Sequence, residues 1–567
     1  MHGVYVKTTT VRRGNRVYEY VTLVEAVRDG SRVRHDVIAR LGEASALRAS
    51  GELDRIIDAL AVHAQREAPG EITVESSVSA GVIAVVDAYW RRLGLDTHFA
   101  DAGGERTFPV ADAVFAMIAN RLADPCSKRA LPEWAETDVT MPGWWRRPGL
   151  HHYYRALDVV HAAKPVTETH LYARLTDLTN LDLRFVCYDL TSSFFEGDPR
   201  LSDRFASKQF GYSRDHRSDR PQIMIGLVMT ANGFPLAHHV FPGNTQDAAT
   251  LTAVLTDVQT RFGIGPVTVV ADRGLVSTGN IAAIANAGCG HILATKLHRA
   301  PDTKAALQAS CQPDAVWEPA PNAGCAVCDV HVDGQRMIVV ASIERHVRDL
   351  ARTAELMART ETKLRDLEQR VRNKAKHLRK PKRIAVQADR ILRDSPVGRC
   401  YDTEITVDDN LFLWHYNDQA VDYEQQLLAG RWVLTTSHTR HELPPEKVLD
   451  AYRQLLEVES TFRVLKDVIE LRPMRHWTET RVHAHIAICV YAALIEALIN
   501  NDLHNARVAD PDVAGQTISP QRALRELGRV HHITLDIAGR TITRTTKLTP
   551  LQQQLLDALR TTLPALS

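Results

Sequence analysis

The sequence predicts a mixed α/β protein with several domains. Its 567 residues are well beyond the roughly 100–200 residues of one typical domain. Short apolar runs typical of strands alternate with helical segments in the middle of the chain, and a helix-rich region precedes them. The 69 basic and 68 acidic side chains nearly cancel, so a nucleic-acid-binding surface has to come from local clustering of charge.

Six regions are expected along the chain. Alternating runs on both sides of Asp29 and Gly30, a pair suited to a tight turn, predict a small N-terminal β unit over 1–70. Apolar residues at helical spacing, punctuated by prolines, predict a helical domain over 71–180. The later regions are the first part of an α/β core (181–298), an insertion with a long basic helix (299–440), the second part of the core (441–505) and a C-terminal region (506–567).

One segment of the helical domain combines aromatic and basic residues. Trp144 and Trp145 are followed directly by Arg146 and Arg147. The segment either contacts DNA or forms an exposed loop with partly buried tryptophans, and both alternatives stay open. We expect the helical domain as a whole to take part in DNA binding.

Five short apolar runs predict the strands of the core. Helical segments at Asp247–Phe262 and Thr278–Ala287 separate the later runs, which is the alternation of a mixed α/β sheet. The turn at Asn232 and Gly233 favours antiparallel pairing of the earlier strands. The predicted strands are Leu183–Leu190, Ile223–Thr230, Leu236–Phe241, Val267–Ala271 and His291–Thr295.

Two carboxylates stand at predicted strand ends. Asp189 lies at the end of the first run, and Asp272 directly follows the fourth. Because neighbouring strand ends of an open α/β sheet converge on one crevice, the two side chains can share a hard divalent cation. The alternative is that each aspartate merely caps the turn or helix that follows it.

A third carboxylate comes from the helical stretch predicted over Pro445–Asp467. Glu457, Glu459 and Glu470 are all candidates. Tyr452, Glu459 and Lys466 are spaced seven residues apart, which places them on nearly one helical stripe, with Arg463 one turn beyond Glu459. The stripe favours Glu459, although an ordinary surface stripe of ion pairs has the same spacing.

A block of positive charge follows the predicted sheet. Between Arg370 and Arg393 there are ten basic residues and one acidic residue, Asp389, on a helix expected from about Glu344 to Arg393. Such blocks are often solvated faces, but this imbalance in a nearly neutral protein favours contact with phosphates. The residues expected to bind DNA here are Lys374, Lys376, Arg379, Lys380, Lys382 and Arg383.

Targeting and cysteine patterns predict a cytoplasmic protein that does not enter a membrane. The segment 1–12 has no apolar stretch of a signal peptide, and Ile486–Ile499 is too short to span a bilayer. The eight cysteines are expected to be reduced. Cys325 and Cys328 lie near His331, but the second ligand pair of a closed zinc site is missing, so buried thiols are preferred.

Several local sequences resemble those of bacterial insertion-sequence DDE transposases, which are similar in fold to ribonuclease H and retroviral integrases. The resemblance extends over most of the chain. It rests on the order of these segments and on their placement on predicted strands and one helix. The segments are Tyr188–Thr191 with Phe194–Glu196, Gly211–Arg217, Phe241–Thr245 with Asp247, Ala271–Gly274, and Tyr452–Lys466 followed by Leu471–Pro473.

The resemblance implies a ribonuclease H-like, mixed five-stranded catalytic core interrupted by a large, partly β insertion. The similar branch carries a Tyr, Arg, Glu and Lys signature on its third catalytic helix. Tyr452, Glu459 and Lys466 fit its spacing, but Leu455 occupies the place of the arginine. We take Arg463 as a hypothetical substitute in contacting DNA.

The same resemblance implies an activity. It predicts that Asp189, Asp272 and Glu459 hold two Mg²⁺ ions, for which Mn²⁺ substitutes, with Asp189 bridging both ions. The expected reaction is cleavage at transposon ends and strand transfer into target DNA, with Tyr452, Arg463 and Lys466 contacting the DNA. The expected partners are double-stranded DNA and a second copy in a homodimeric synaptic complex in the nucleoid, with no small-molecule substrate. The alternatives are an inactive DNA-binding protein derived from a transposase and a nuclease of similar fold.

Overall fold

The computed structural model of the protein divides the chain into two compact units. The first comprises Met1–Ser77, His532–Thr546 and Leu566–Ser567, and the second comprises Val78–His531 and Lys547–Ala565. The predicted C-terminal region is therefore shared between the units, whereas the other domain boundaries stay predictions. The residues that the structure describes are 3–13, 16–29, 32–50, 72–179, 184–197, 205–215, 217–246, 250–263, 266–275, 277–297, 300–320, 324–406, 411–537 and 540–564.

Seventeen strands lie within these described ranges. They are β1 Gly3–Arg13, β2 Arg16–Asp29, β3 Arg32–Glu43, β4 Ile72–Ser79, β5 Phe185–Phe194, β6 Gln222–Thr230, β7 Pro235–Pro242, β8 Thr268–Ala271, β9 Gly290–Ala294, β10 Trp317–Pro319, β11 Cys325–Val332, β12 Gln335–Ser342, β13 Tyr401–Thr406, β14 Leu411–Tyr416, β15 Arg431–Thr436, β16 His531–Ile537 and β17 Arg540–Thr545.

The α-helices of the described residues are numbered in the same way. They are α1 Ala44–Ala49, α2 Gly81–Arg92, α3 Leu95–Gly103, α4 Val110–Ala123, α5 Leu131–Thr137, α6 Leu150–Leu178, α7 Leu251–Phe262, α8 Thr278–Asn286, α9 Pro301–Ala309, α10 Ile343–Arg372, α11 Pro381–Arg393, α12 Asp418–Asp422, α13 Pro445–Arg453, α14 Leu455–Arg463, α15 Glu479–Asn505, α16 Pro520–Leu527 and α17 Pro550–Ala558.

The first unit is built on antiparallel strands. β1, β2 and β3 form one sheet, in which β2 and β3 are the two runs that the sequence predicts and β1 is additional. The predicted turn residue Gly30 lies outside the described residues. A second sheet has the order β17-β16-β4.

A nine-stranded mixed sheet organises the second unit, in the order β10-β11-β12-β15-β9-β8-β5-β6-β7. β5 pairs in parallel with β8, and β8 with β9, whereas β5, β6 and β7 are antiparallel neighbours. The mixed α/β class is confirmed, and the five predicted strands are adjacent. Four of them match the prediction within one residue at each end, while β5 continues to Phe194.

The insertion extends the sheet beyond the five predicted strands. β15 pairs antiparallel with β9 through Leu434–Thr436, and β12, β11 and β10 follow outward. Without β15, the edge of β9 would leave its backbone donors and acceptors unpaired. Four strands of the insertion therefore belong to the sheet that carries the predicted catalytic residues.

Helices cover both faces of the sheet. One face packs against α4, α6 and α15 in a cluster that includes Phe115, Leu157 and Leu494 together with Cys187 of β5. The opposite face, which includes Tyr188, packs against α7 and α8. Because strand residues alternate between faces, Asp189 lies on the side of Cys187.

Two long helices expected from the sequence are interrupted. The predicted helix Glu344–Arg393 consists of α10 and α11, because Lys374 adopts a positive φ of 54° and Pro381 begins the second helix. The predicted helix Pro445–Asp467 consists of α13 and α14, followed by a π-helical turn over Val464–Val468.

The helix that contains the apolar stretch Ile486–Ile499 is longer than that stretch. α15 has 27 residues and is apolar enough to cross a membrane by length and composition alone, and 83% of its most apolar 18-residue window is buried within the protein. Helices at the centre of a protein core have the same composition.

Candidate active site

Asp189 lies on β5, and Asp272 directly follows the neighbouring parallel strand β8. The last paired residues of β5 and β8 are Cys187 and Val270, and each aspartate follows two residues later. Asp189 is not at the end of its strand, as the sequence suggested, but it lies just beyond the pairing with β8. Cys187 and Val270 face the same hydrophobic cluster, so the alternation of side chains directs both carboxylates to that side.

The helix that carries Glu459 covers this side of the sheet. Leu455, Val458 and Phe462 of α14 pack into the cluster that contains Cys187 and Val270. Glu459 itself is exposed and, with Asp272 and Tyr452, lines a cavity of about 710 Å³. Glu470 does not line this cavity. Of these two candidates for the third carboxylate, Glu459 is the one beside Asp272.

Electrostatics connect the three carboxylates. Burial, together with the charges of Asp272 and Glu459, raises the pKa of Asp189 to about 6, against the lowering effects of the Leu190 amide and Arg214. A cation placed between these groups would relieve their repulsion.

Tyr452 is held at Asp272. Its hydroxyl donates to the Asp272 Oδ1 atom over 3.4 Å. Burial raises the pKa of the Tyr452 hydroxyl, and the neighbouring carboxylates of Asp272 and Glu459 add to the rise. The phenol is therefore a permanent donor that fixes the orientation of the Asp272 carboxylate.

Arg214 supports the other aspartate. Its Nη1 atom lies 4.0 Å from the Asp189 Oδ1 atom and donates to the Leu190 carbonyl, while its backbone N–H donates to the Ser192 Oγ atom over 3.2 Å. The sequence assigned Arg214 no role, although it lies in the segment Gly211–Arg217 that carries the family resemblance.

A buried ion-pair cluster lies next to Arg214. The Lys466 Nζ atom donates to the Asp215 Oδ1 atom over 2.9 Å, and Arg472 donates to the same oxygen. The Asp215 side chain is 3% exposed. Lys466, expected to face DNA phosphates, is thus occupied by a carboxylate of the protein, and Asp215 was not predicted at all.

Family comparisons agree with this arrangement. A model described as the transposase DDE domain matches residues 182–495, which is more than half of the chain and includes all three carboxylates. The chain belongs to the DDE transposases. A second model, for the N-terminal domain of IS1634 family transposases, matches residues 6–71 and identifies an insertion-sequence transposase.

Two further comparisons complete these findings. A cryo-EM structure of a piggyBac transposase synaptic complex with hairpin DNA is similar over 79% of the transposase and 79% of that chain, with 9% identity and a TM-score of 0.32, which does not assign the fold. No curated protein matches the sequence.

A DDE transposase domain implies dependence on a divalent metal ion, and the residues present fit one. The donors are carboxylate oxygens, which hard cations such as Mg²⁺ prefer, and burial together with the charges of the other two acids raises the pKa of Asp189. Within the described ranges, no three His, Cys, Asp or Glu side chains are close enough to hold one ion together. Cys325 and Cys328 are three residues apart on β11, so their side chains point to opposite faces.

Leu455, which occupies the position of the signature arginine, is packed in the protein core. Leu455 is 4% exposed in the core of the transposase. Arg463, the hypothetical substitute, is exposed and does not line the cavity beside Asp272. The arginines that do line this cavity are Arg345, Arg348 and Arg453, none of which was predicted.

The positive block of the insertion divides into paired and unpaired cations. Four arginines form ion pairs with acids four residues away on α10 or α11, or just beyond the end of α11: Arg370, Arg372, Arg390 and Arg393. The other six basic residues are exposed and form no ion pair within the described part of the chain. This group, which we call the basic turn, consists of Lys374, Lys376, Arg379, Lys380, Lys382 and Arg383.

The aromatic segment of the helical region is packed. The Trp144 indole N–H donates to the Asp87 carboxylate over 3.0 Å, and the Trp145 indole N–H donates to the Asp112 carbonyl over 3.0 Å. Arg147 pairs with Glu136. These contacts favour the loop with partly buried tryptophans over the alternative of DNA contact.

Proposed function

We propose that Asp189, Asp272 and Glu459 catalyse metal-dependent cleavage of DNA at transposon ends and strand transfer into target DNA. The observation that carries this proposal is the level placement of Asp189 and Asp272 beneath the helix of Glu459. Asp189 and Asp272 would hold one Mg²⁺ or Mn²⁺ ion, and Asp189 and Glu459 would hold the second. Bound there, the ions would generate the nucleophile and stabilise charge on the leaving oxygen.

The protein's own groups keep these carboxylates in position. Tyr452 donates to Asp272, and Arg214 anchors the chain at Leu190 beside Asp189. The ion pair of Lys466 with Asp215 fixes the turn that follows α14. DNA phosphates that enter the cavity beside Asp272 would contact Arg345 and Arg348. We also propose that Tyr452, Arg463 and Lys466 contact the DNA.

The proposed core is ribonuclease H-like and comprises β7-β6-β5-β8-β9. Its support is the strand order, in which the first strand is central, the next two follow antiparallel on one side, and the last two lie parallel on the other. The proposed partners are double-stranded transposon-end and target DNA and a second copy of the chain, because joining two ends requires a synapse. The helical region is proposed to contribute to DNA binding, and the protein to act in the cytoplasm at the nucleoid.

The test uses purified protein with an end-containing duplex and Mg²⁺ or Mn²⁺. Asp189→Asn, Asp272→Asn and Glu459→Gln should each abolish cleavage while DNA binding persists. Glu457→Gln, which removes the same charge from the same helix, should retain cleavage. Full activity of any of the first three variants would overturn the assignment. Cleavage without strand-transfer products would identify a nuclease, and DNA affinity without metal-dependent cleavage would identify an inactive binding protein.

A further inference from the structure

A second cavity, distinct from the one beside Asp272, is surrounded by cations. It has a volume of about 360 Å³ and lies between the segment Pro125–Arg129 and the segment Glu470–His476. Its wall contains five basic side chains and one carboxylate: Arg121, Lys128, Arg129, Arg472, Arg475 and Glu470. We call it the Lys128 cavity.

Lys128 is a buried cation without a counter-ion. Its side chain lines the cavity although the residue is only 6% exposed, and within the described residues it forms no ion pair or hydrogen bond. Burial, followed by the charge of Arg121, lowers the pKa of the Lys128 ammonium to about 7. Because a buried charge is costly unless it is paired, the arrangement lacks an anion.

The neighbours of Lys128 add positive charge without neutralising it. Arg121 is fixed by donating to the carbonyls of Ile469 and Glu470 over 3.2 and 3.4 Å, and it forms no ion pair within the described chain. Arg129 and Arg475 are exposed and likewise unpaired there. The Glu470 carboxylate is not within ion-pair distance of any of these cations. The one acidic group of the wall therefore leaves the positive charge uncompensated.

Of the two histidines in the wall, His476 and His485, the first shows the effect of this positive charge. Burial, together with the charges of Lys128, Arg481 and Arg121, lowers the pKa of His476 to about 4. His476 is thus neutral in the free protein. The cavity is therefore electropositive from its fixed cations alone.

The Lys128 cavity is connected to the catalytic residues through one ion pair. Arg472 lines the cavity and binds Asp215, which follows Arg214 in sequence. Arg214 in turn lies 4.0 Å from the Asp189 carboxylate. A ligand in the cavity would therefore lie beside Arg472, whose partner Asp215 adjoins Arg214.

We propose that the Lys128 cavity binds a phosphate group, supplied by the backbone of the DNA substrate at a point away from the scissile bond. This inference rests on the proposed function, because it takes DNA as the substrate. A phosphate would supply the missing anion to Lys128, and the exposed Arg129 and Arg475 would contact the same or a neighbouring phosphate from the rim.

The test measures DNA binding by the full chain with Ca²⁺ in place of Mg²⁺, by fluorescence anisotropy over a series of salt concentrations. Lys128→Met keeps the volume of the side chain and removes the charge. It should weaken DNA binding roughly tenfold and reduce the salt dependence by about one counter-ion, equally for end-containing and unrelated duplexes. Arg475→Ala, at the exposed rim, should act in the same direction. The control is Arg525→Ala, an exposed arginine outside the cavity, which should change neither quantity.

A second measurement distinguishes the source of the phosphate. Inorganic phosphate should raise the melting temperature of the wild-type protein but not that of Lys128→Met. If Lys128→Met lost only this effect and bound DNA normally, the site would take a free phosphate and not a DNA phosphate. If it lost neither, the proposal would be wrong. Neither measurement requires cleavage, so failure of the catalytic assignment would be seen separately with Asp189→Asn.

Discussion

At the scale of single residues, Asp189 shows how a proposed catalytic position lowers the stability of the fold. Its carboxyl group is largely buried and faces two other acids, so ionisation is unfavourable in the metal-free fold. The rise of its pKa from 3.8 to about 6 corresponds to at most about 3 kcal/mol of stability lost on ionisation. The protein thus keeps an ionisable carboxyl group at this buried position, although its ionisation lowers the stability of the fold.

This balance predicts a pH-dependent gain in stability for Asp189→Asn. The raised pKa means that the folded state holds the proton more tightly than the unfolded state, so wild type loses stability as the pH rises from about 4 to about 6. Asparagine does not ionise. The melting temperature of the variant, measured with a chelator present, should therefore rise above that of wild type across this window. A difference that stays constant with pH would contradict the electrostatic explanation.

Asp215 gives the opposite expectation. It is buried between Lys466 and Arg472, so Asp215→Asn leaves two cations facing each other. Loss of one partner from a buried ion pair costs about 3–5 kcal/mol, and the partial exposure of Arg472 places this case toward the lower end. Thermal denaturation should show a clear fall in melting temperature.

The matched control for Asp215 is Asp467→Asn. This carboxylate also binds Arg472 but is 56% exposed. Exposed pairs contribute about 0–1 kcal/mol, so the melting temperature should hardly change. Equal effects of the two substitutions would show that burial is not what makes Asp215 important.

At the scale of elements, the basic residues between Arg370 and Arg393 show what a sequence pattern can and cannot predict. Charge density predicted a phosphate-binding surface, but it could not show which cations are compensated. The four arginines on α10 and α11 pair with acids one helical turn away, whereas the basic turn spans the break between the helices and the first residues of α11. The sequence predicted a continuous helix because a single positive φ at Lys374 leaves no trace in hydrophobic periodicity.

Replacing the basic turn by glutamines should therefore weaken DNA binding and reduce its salt dependence. Binding of the variant to DNA would form fewer phosphate contacts and so release fewer counter-ions. The variant changes Lys374, Lys376, Arg379, Lys380, Lys382 and Arg383 together. The control replaces the paired arginines Arg370, Arg372, Arg390 and Arg393, and should have the smaller effect per charge. Salt-dependent anisotropy measurements check both. An equal loss per charge would show that ion pairing does not decide which cations bind DNA.

The catalytic elements were predictable to different degrees. Apolar runs located β5 and β8, and with them Asp189 and Asp272, because buried strands have a strong local signature. Helical spacing selected Glu459 over Glu470, in agreement with the cavity beside Asp272. Arg214 and Asp215 were missed because they lie between strands, where side-chain partners depend on contacts distant in sequence.

At the scale of the whole molecule, the insertion is structurally continuous with the catalytic sheet. Its strands β10, β11, β12 and β15 extend the sheet from β9, a long-range pairing that no local pattern encodes. By contrast, α10, α11, β13 and β14 have a separate hydrophobic cluster. The insertion therefore has one part that completes the sheet and another that projects from it.

Two deletions should distinguish these parts. Replacing Ile343–Ala429 by Asn-Gly would join Ser342 to Gly430, which already share a backbone hydrogen bond of 2.9 Å, as a tight hairpin. This variant should fold and lose DNA affinity together with the basic turn. Deleting 299–436 should expose the edge of β9 and give aggregated protein. Size-exclusion chromatography checks both, and a monodisperse product of the longer deletion would contradict the structural role of β15.

The continuous sheet also has a consequence for the time course of synthesis. The ribosome produces Asp272 187 residues before Glu459, and the intervening chain includes β15, which pairs with β9 in the folded protein. At roughly 5–20 residues per second, this interval lasts on the order of 10–40 s. On the proposed assignment, a nascent chain lacks the third catalytic acid until Glu459 has been translated, so cleavage has to follow that point of synthesis.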